Sequence, residues 1–132
     1  MGLIEVSSGL VEQFTDQRRS VTLHKSVLRL DGDEGEVPIG IVRKHLPDGP
    51  TRPPVLLVHG FAQNRYTWHT SERSPSAWLA ELGFDVWNME LRGHGRSADE
   101  VRRGAEQFAD YVTDVQRVAA AIGKPAFWIG HS

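Results

Sequence analysis

Four consecutive apolar residues, Val55-Leu56-Leu57-Val58, place the strongest constraint on the fold of this chain. A strand with one solvated face alternates apolar and polar residues, whereas a strand buried on both faces is apolar throughout. A Pro- and Gly-rich segment, 47–54, precedes the run, and His59-Gly60 ends it. We therefore expect a short strand inside a parallel sheet whose two faces are both covered by helices.

Two further pairs of helix and strand are predicted after this strand. Ser74-Pro75 has the residue types that begin a helix, because serine caps the first turn and proline suits its first position, and Gly83 would end that helix. The segment 84–91 is the next predicted strand. Apolar residues at helical spacing then predict a helix from about 106 to 122, and a third short strand is expected at 126–129.

The segment before the Pro- and Gly-rich connector predicts an antiparallel hairpin. Apolar residues are interleaved with polar ones over 21–30 and again over 37–42, and residues 31–35 are rich in turn-forming Asp and Gly. Residues 1–19 are weakly patterned and are compatible with an arm or a short helix. We expect an N-terminal arm, 1–19, and an α/β portion, 20–132, in which the hairpin precedes a parallel β-α-β-α-β unit.

Composition narrows the classes of function. The chain of 132 residues has no cysteine, which excludes disulfides, thiolate zinc sites and cysteine nucleophiles within it. Its formal net charge is -2 and its cations are scattered, which argues against nucleic acid as a partner. No apolar stretch approaches the ~20 residues of a membrane span, and no signal peptide is recognisable, so a cytoplasmic location is expected. No histidine pair has metal-site spacing, and neither a metal nor a cofactor is predicted.

Three loops follow the carboxyl ends of the predicted parallel strands, which is the edge where ligands bind in open α/β sheets. In His59-Gly60-Phe61, the glycine permits a tight turn that can aim the Phe61 N–H at a ligand oxygen, although a plain turn explains the tripeptide equally well. Gly130-His131-Ser132 matches the first half of G-x-S-x-G, in which a sharp, strained turn exposes the serine hydroxyl above the sheet.

The middle loop, Arg92-Gly93-His94-Gly95-Arg96-Ser97-Ala98, has a second interpretation. Gly93, Gly95 and Ala98 fit the dinucleotide fingerprint G-x-G-x-x-G/A. That fingerprint normally occupies the first turn of its βα unit and opens the helix at once. Here it lies in a later turn, and Asp99-Glu100 would repel a pyrophosphate. A nucleotide-binding module is therefore the rival hypothesis, and we expect that no dinucleotide binds.

In combination, these segments resemble the central region of the α/β-hydrolase superfamily over about residues 20–132. In that superfamily an HG-x turn supplies an oxyanion N–H, the next strand ends in a D-L-R-G-x-G-x-S-like loop, and a helix leads to the nucleophile strand. The stretch 78–93 is also somewhat similar to lipases of the acid-lipase branch. Glu90 stands where Asp is commoner, and we expect it to keep a loop-anchoring role.

The resemblance implies a serine hydrolase that cleaves a carboxylic ester of a small molecule. Ser132 would form an acyl-enzyme, and the N–H groups of Phe61 and of the residue after Ser132 would hold the oxyanion. The histidine base and its acidic partner would follow the nucleophile in sequence. A serine argues against the dehalogenases and epoxide hydrolases of the superfamily, which use Asp. Acyl transfer, C–C bond hydrolysis and a non-catalytic hydrolase-like domain remain alternatives.

Further residues are expected to line the site: His59, Gly60, Tyr66, Trp68 and His131. His131 adjoins the proposed nucleophile, but consecutive side chains on a strand point to opposite faces, so we do not assign it as the base. His59 is expected mainly to anchor loops through hydrogen bonds.

The remaining tryptophans, Trp78, Trp87 and Trp128, are expected in the core. Trp78 would belong to an apolar stripe on the first predicted helix, together with Leu79 and Leu82.

The position of Ser132 as the last residue predicts that these residues are half of a domain. The turn at the nucleophile needs following residues, a base must also follow, and a sheet that stopped at its nucleophile strand would expose an apolar edge. We therefore expect the C-terminal half of the same domain to be the partner of this chain.

Overall fold

The computed structural model describes residues 2–32, 37–59, 69, 74–92 and 108–130. The strands in this part of the chain are β1 (Gly2–Asp16), β2 (Arg19–Asp31), β3 (Ile39–His45), β4 (Pro54–Val58), β5 (Asp85–Met89) and β6 (Phe127–Gly130). The helices are α1 (Pro75–Glu81) and α2 (Phe108–Ile122). The predicted order of hairpin, strand, helix, strand, helix and strand is confirmed.

All six strands belong to one sheet in the spatial order β1-β2-β3-β5-β4-β6. β4 pairs in parallel with β5 on one side and with β6 on the other. β3 continues the sheet by antiparallel pairing with β5, and β2 pairs antiparallel with β3. This arrangement confirms the predicted α/β architecture and puts the wholly apolar strand between two neighbours.

The two faces of β4 contribute to separate apolar clusters. Val55 and Leu57 pack on the side of the sheet that carries Ala77 of α1. Leu56 lies on the opposite side, in a cluster that includes Val118 of α2. Because alternate residues of a strand point to opposite faces, a strand covered by a helix on each side must be apolar at every position.

The termini of α1 form as the sequence predicts. The Ser74 side chain accepts a hydrogen bond from the Ala77 N–H, with 3.0 Å between nitrogen and oxygen, and proline occupies the start of the helix. Gly83 follows the helix with a φ of +106°, a conformation that favours glycine.

The expected apolar stripe of α1 is right for Leu79, which packs against the cluster of Val55 and Leu57. It is wrong for the other two members, because small residues of the helix face the sheet. Ser76, Ala77 and Ala80 are buried, whereas the side chains of Trp78 and Leu82 are exposed. Small side chains let the helix approach the sheet closely, and Trp78 and Leu82 are left on the outer side.

The three tryptophans expected in the core have different environments. Trp87 on β5 is 4% exposed and belongs to the core, as predicted. Trp78 and Trp128 are 51% and 56% exposed, so the prediction is wrong for both. Trp128 lies on β6, the last strand in the spatial order, which has a paired neighbour only on the side of β4 within the described part of the chain.

Residues 2–16, for which an arm or a short helix remained possible, form the long strand β1. It pairs antiparallel with β2 from Gly2, opposite Asp31, to Asp16, opposite Arg19. The register shifts between Glu5 and Ser7 and again near the end of the strand. Each shift changes which side chains share a face, which weakens the period-two signal in the sequence. The proposed division into an arm, 1–19, and a half-domain, 20–132, remains a prediction.

Neither described helix combines the length and the apolar composition that a bilayer-spanning segment requires.

Replacing Gly83 by alanine is expected to lower the free energy of unfolding more than the same change at Gly49. Both glycines have a positive φ, +106° and +104°, and a side chain in that region costs about 1–3 kcal/mol. At Gly83 the added Cβ would also collide with Oγ1 of Thr51, whereas nothing lies within 4 Å of it at Gly49. Urea-induced unfolding of the two variants measures the difference, and equal losses would contradict this account of the turn.

Candidate active site

The carboxyl ends of the three parallel strands lie in one row across the sheet. Val58, the last residue of β4, is paired with Met89 of β5 and with Gly130 of β6. β4, β5 and β6 therefore end at the same edge of the sheet. This is the edge where the sequence predicts the functional loops to converge.

Among the residues predicted for the site, the structure describes His59. The others lie outside the described residues: Ser132, Phe61, Gly60, Tyr66, Trp68 and His131. Their roles at the site remain predictions.

His59 ties the end of β4 to the end of β5. Its side chain is buried, and Nε2 accepts a hydrogen bond from the Leu91 N–H, with 3.0 Å between the two nitrogens. The acceptor nitrogen of a histidine carries no proton, so Nε2 is the unprotonated nitrogen of this ring. The expectation that His59 anchors loops is confirmed; whether it also lines the substrate pocket remains a prediction.

Residues 90–92, which we call the β5 exit, are held through three consecutive backbone N–H groups. The Glu90 N–H donates to the carbonyl oxygen of Gly40 on β3 at 3.0 Å. The Leu91 N–H donates to His59, and the Arg92 N–H donates to Oδ2 of Asp114 on α2 at 3.0 Å. Three separate elements thus fix the backbone at the point where the middle loop begins.

The contact between Arg92 and Asp114 is a buried, two-pronged ion pair. Nη2 of Arg92 lies 2.7 Å from Oδ1 of Asp114, and Nε lies 3.0 Å from Oδ1 and 3.1 Å from Oδ2. The Asp114 side chain is fully buried, and that of Arg92 is 15% exposed. These hydrogen bonds to Asp114 raise the pKa of Arg92 above its ordinary value, against the opposing effect of burial.

Sequence reasoning missed Asp114, although the chain contains a signal for it. Asp114 lies four residues before Val118, which is also buried, so both occupy the inward face of α2. A carboxylate on the buried face of a helix is rare unless it is paired. Its partner is 22 positions away in sequence, and no local pattern identifies it.

A second buried polar cluster lies away from this edge, near the start of β5. Lys44 on β3 is paired with Val86, and its Nζ donates to Oγ of Ser76 at 2.9 Å. His69 Nδ1 lies 3.2 Å from that Nζ and 2.8 Å from Oγ of Ser74. The cluster joins β3 to the start of α1 through Ser74 and Ser76, and we assign it to the fold rather than to the site.

Comparison with known proteins gives a family match and a set of similar folds. A family model described as serine aminopeptidase, S33, matches residues 49–132. Epoxide hydrolase B from Mycobacterium tuberculosis is 35% identical over 80 residues, which cover 60% of this chain and 21% of that protein. The chain therefore spans about a fifth of the length of this curated relative.

Two solved structures have the same fold over most of this chain. A thioesterase domain from the curacin biosynthetic pathway matches with a TM-score of 0.61 and 24% identity, covering 81% of this chain and 35% of that one. A soluble variant of monoglyceride lipase from Saccharomyces cerevisiae matches with a TM-score of 0.63 and 20% identity, covering 89% and 36%. At these identities the likeness shows an α/β-hydrolase fold.

Replacing His59 by leucine is expected to lower the free energy of unfolding by about 1–3 kcal/mol, because the Leu91 N–H would lose its acceptor in a buried position. His59→Gln retains an acceptor on a side chain of comparable reach and should recover part of the loss. Urea denaturation of both variants measures the effect. If His59→Leu were as stable as the unmodified protein, the anchoring role would be wrong.

Proposed function

Because this chain belongs to the serine aminopeptidase S33 family of α/β-hydrolases, we propose that the protein is a serine hydrolase that cleaves carboxylic esters. Ser132 is the proposed nucleophile, and the backbone N–H of Phe61 is a proposed oxyanion donor. The pairing of Val58 with Gly130 carries the proposal. Phe61 follows Val58 by three positions and Ser132 follows Gly130 by two, so both segments start from the same pair of strand ends.

The proposed reaction has two halves. Oγ of Ser132 bonds to the ester carbonyl carbon while its proton passes to a base, and the carbonyl oxygen becomes an anion. The Phe61 N–H donates to that oxygen, a contact that contributes about 10²–10³ in turnover in comparable sites. The alcohol then leaves with the proton from the base, and water attacks the acyl-enzyme to release the acid and restore the serine. The resemblance assigns the base to a histidine that follows the nucleophile.

The nucleophile favours acyl substrates over epoxides, although a curated relative is named as an epoxide hydrolase. A carboxylate that opens an epoxide forms an ester, which water can then hydrolyse. A serine alkoxide would instead form an alkyl ether, which water does not cleave under these conditions. Ser132 is therefore suited to esters or amides, both of which pass through an acyl-enzyme.

Amide hydrolysis is a second candidate, since the family description names an aminopeptidase. An amino-acyl p-nitroanilide tests it beside a short-chain p-nitrophenyl ester. Product analysis with added alcohol separates hydrolysis, which yields the free acid, from acyl transfer, which yields a new ester.

In the full-length protein, Ser132→Ala is expected to lower kcat on the p-nitrophenyl ester by at least ~10³-fold, because no acyl-enzyme can form. It should also abolish covalent labelling by an alkyl fluorophosphonate, as read by intact mass. Ser20→Ala is the matched control. Ser20 is exposed and lies near the start of β2, at the opposite end of the sheet, so its removal should leave both measurements unchanged.

Labelling that persists in Ser132→Ala would show that another residue is the nucleophile. A p-nitroanilide turned over with a higher kcat/KM than the ester would favour the peptidase instead. An epoxide hydrolysed in preference to both would refute the proposed acyl chemistry.

A further inference from the structure

Asp114 accepts hydrogen bonds from two parts of one residue. Its carboxylate takes the Arg92 backbone N–H and also the two-pronged guanidinium contact. A side chain that holds both the backbone and the head group of a long residue fixes that residue in position and in direction. We call this set of contacts the α2 clamp.

Stability alone explains the α2 clamp poorly. Removing two charges from water carries a large desolvation penalty, and buried ion pairs can often be replaced by apolar residues without loss of stability. A buried ion pair is therefore better explained if the position that it imposes on its residues serves the function of the protein. The α2 clamp lies at the edge of the sheet where the candidate site is expected.

The α2 clamp joins α2, the helix before the strand that precedes Ser132, to the β5 exit, which His59 in turn contacts. From Asp114, α2 continues to Ile122 and the chain then enters β6, after which Ser132 follows. From Arg92, the β5 exit leads back by one residue to Leu91, which is held by His59. His59 precedes Phe61 by two positions in the sequence.

We propose that Asp114 is a positioning residue that sets the placement of the segment leading to Phe61 relative to β6, the strand that precedes Ser132, an inference that rests on the proposed function. Asp114 is fully buried on α2 and acts through Arg92 and the β5 exit. Its contribution is to hold the oxyanion donor and the nucleophile at the separation that the transition state requires. A misplacement of about 1 Å in such a site can cost about 10²-fold in rate.

The chain offers a matched control in a second ion pair, at the opposite end of β5. Arg43 on β3 makes a two-pronged contact with Asp85, at 2.7 and 2.8 Å, and Asp85 is also buried. Asp85 is the first residue of β5, at the end of the strand opposite to the candidate site. Asp85→Asn and Asp114→Asn therefore make the same chemical change in ion pairs at the two ends of β5. Asp85 begins the strand, and Asp114 on α2 contacts Arg92 at the β5 exit.

In the full-length protein, Asp114→Asn is expected to lower kcat on a p-nitrophenyl ester by about 10- to 100-fold with KM within about twofold of the unmodified value. Such a split indicates the loss of an interaction that matters in the transition state rather than in substrate binding. Asp85→Asn should leave kcat within about twofold. Thermal unfolding of each variant records the loss of stability separately from the loss of activity.

A double variant separates positioning from folding. Arg92→Met/Asp114→Asn removes the guanidinium together with the carboxylate that it contacts, and keeps an oxygen acceptor for the backbone N–H at residue 92. We expect it to regain part of the thermal stability while kcat stays low, because the two-pronged contact is absent. Recovery of kcat together with stability would overturn the proposal. Equal kcat losses in Asp114→Asn and Asp85→Asn would overturn it as well.

Two further readouts keep the test decisive. If Asp114→Asn does not fold, Arg92→Lys serves instead, because it keeps the charge and the backbone contact but loses the two-pronged guanidinium contact. A reduced kcat in Arg92→Lys supports the proposal and an unchanged kcat overturns it.

Amide hydrogen exchange of residues 90–92 follows the α2 clamp without any substrate, and at least tenfold faster exchange is expected in Asp114→Asn. Unmodified protein that hydrolyses neither ester nor amide would refute the proposed function, whereas active protein with unaltered exchange in Asp114→Asn would refute the α2 clamp alone.

Discussion

The burial of β4 on both faces is the constraint on which the rest of the structure depends. Its apolar side chains supply both clusters of the core, and its parallel pairing with β5 and β6 brings three strand ends into one row. Buried strand ends leave backbone groups that water cannot reach, and these need partners from the protein. His59 and Asp114 provide two of those partners at the β5 exit. The burial of β4 therefore determines where polar side chains are needed as hydrogen-bond partners for the backbone.

The sequence predicts those parts of the fold whose signals are local. The apolar run of β4 and the Ser74-Pro75 start of α1 each lie within a few residues, and both are present in the structure. The strand at 2–16 was missed because its hydrogen bonds come from a distant segment and its register shifts blur the alternation. Trp78 was misplaced because spacing marks a stripe on α1 without showing which face meets the sheet.

The site residues likewise fall into two groups, those with a local signal in the sequence and those without one. The motif residues Phe61 and Ser132 were proposed from short patterns at strand ends, and the common origin of their segments follows from the register of β4 and β6. Asp114 has no motif, because its importance depends on Arg92, which only folding brings within reach. The similar folds include a thioesterase and a lipase, and the fold alone does not choose a reaction. The choice of an acyl substrate depends on the nucleophile.

A crystal structure of the full-length protein after reaction with an alkyl fluorophosphonate tests the central claim most directly. The adduct mimics the tetrahedral intermediate, so it records the nucleophile and the oxyanion donor in one measurement. The account predicts phosphorus bonded to Oγ of Ser132, with the phosphoryl oxygen about 3 Å from the Phe61 backbone nitrogen. Phosphorus on a different residue, or a phosphoryl oxygen directed away from Phe61, would contradict it.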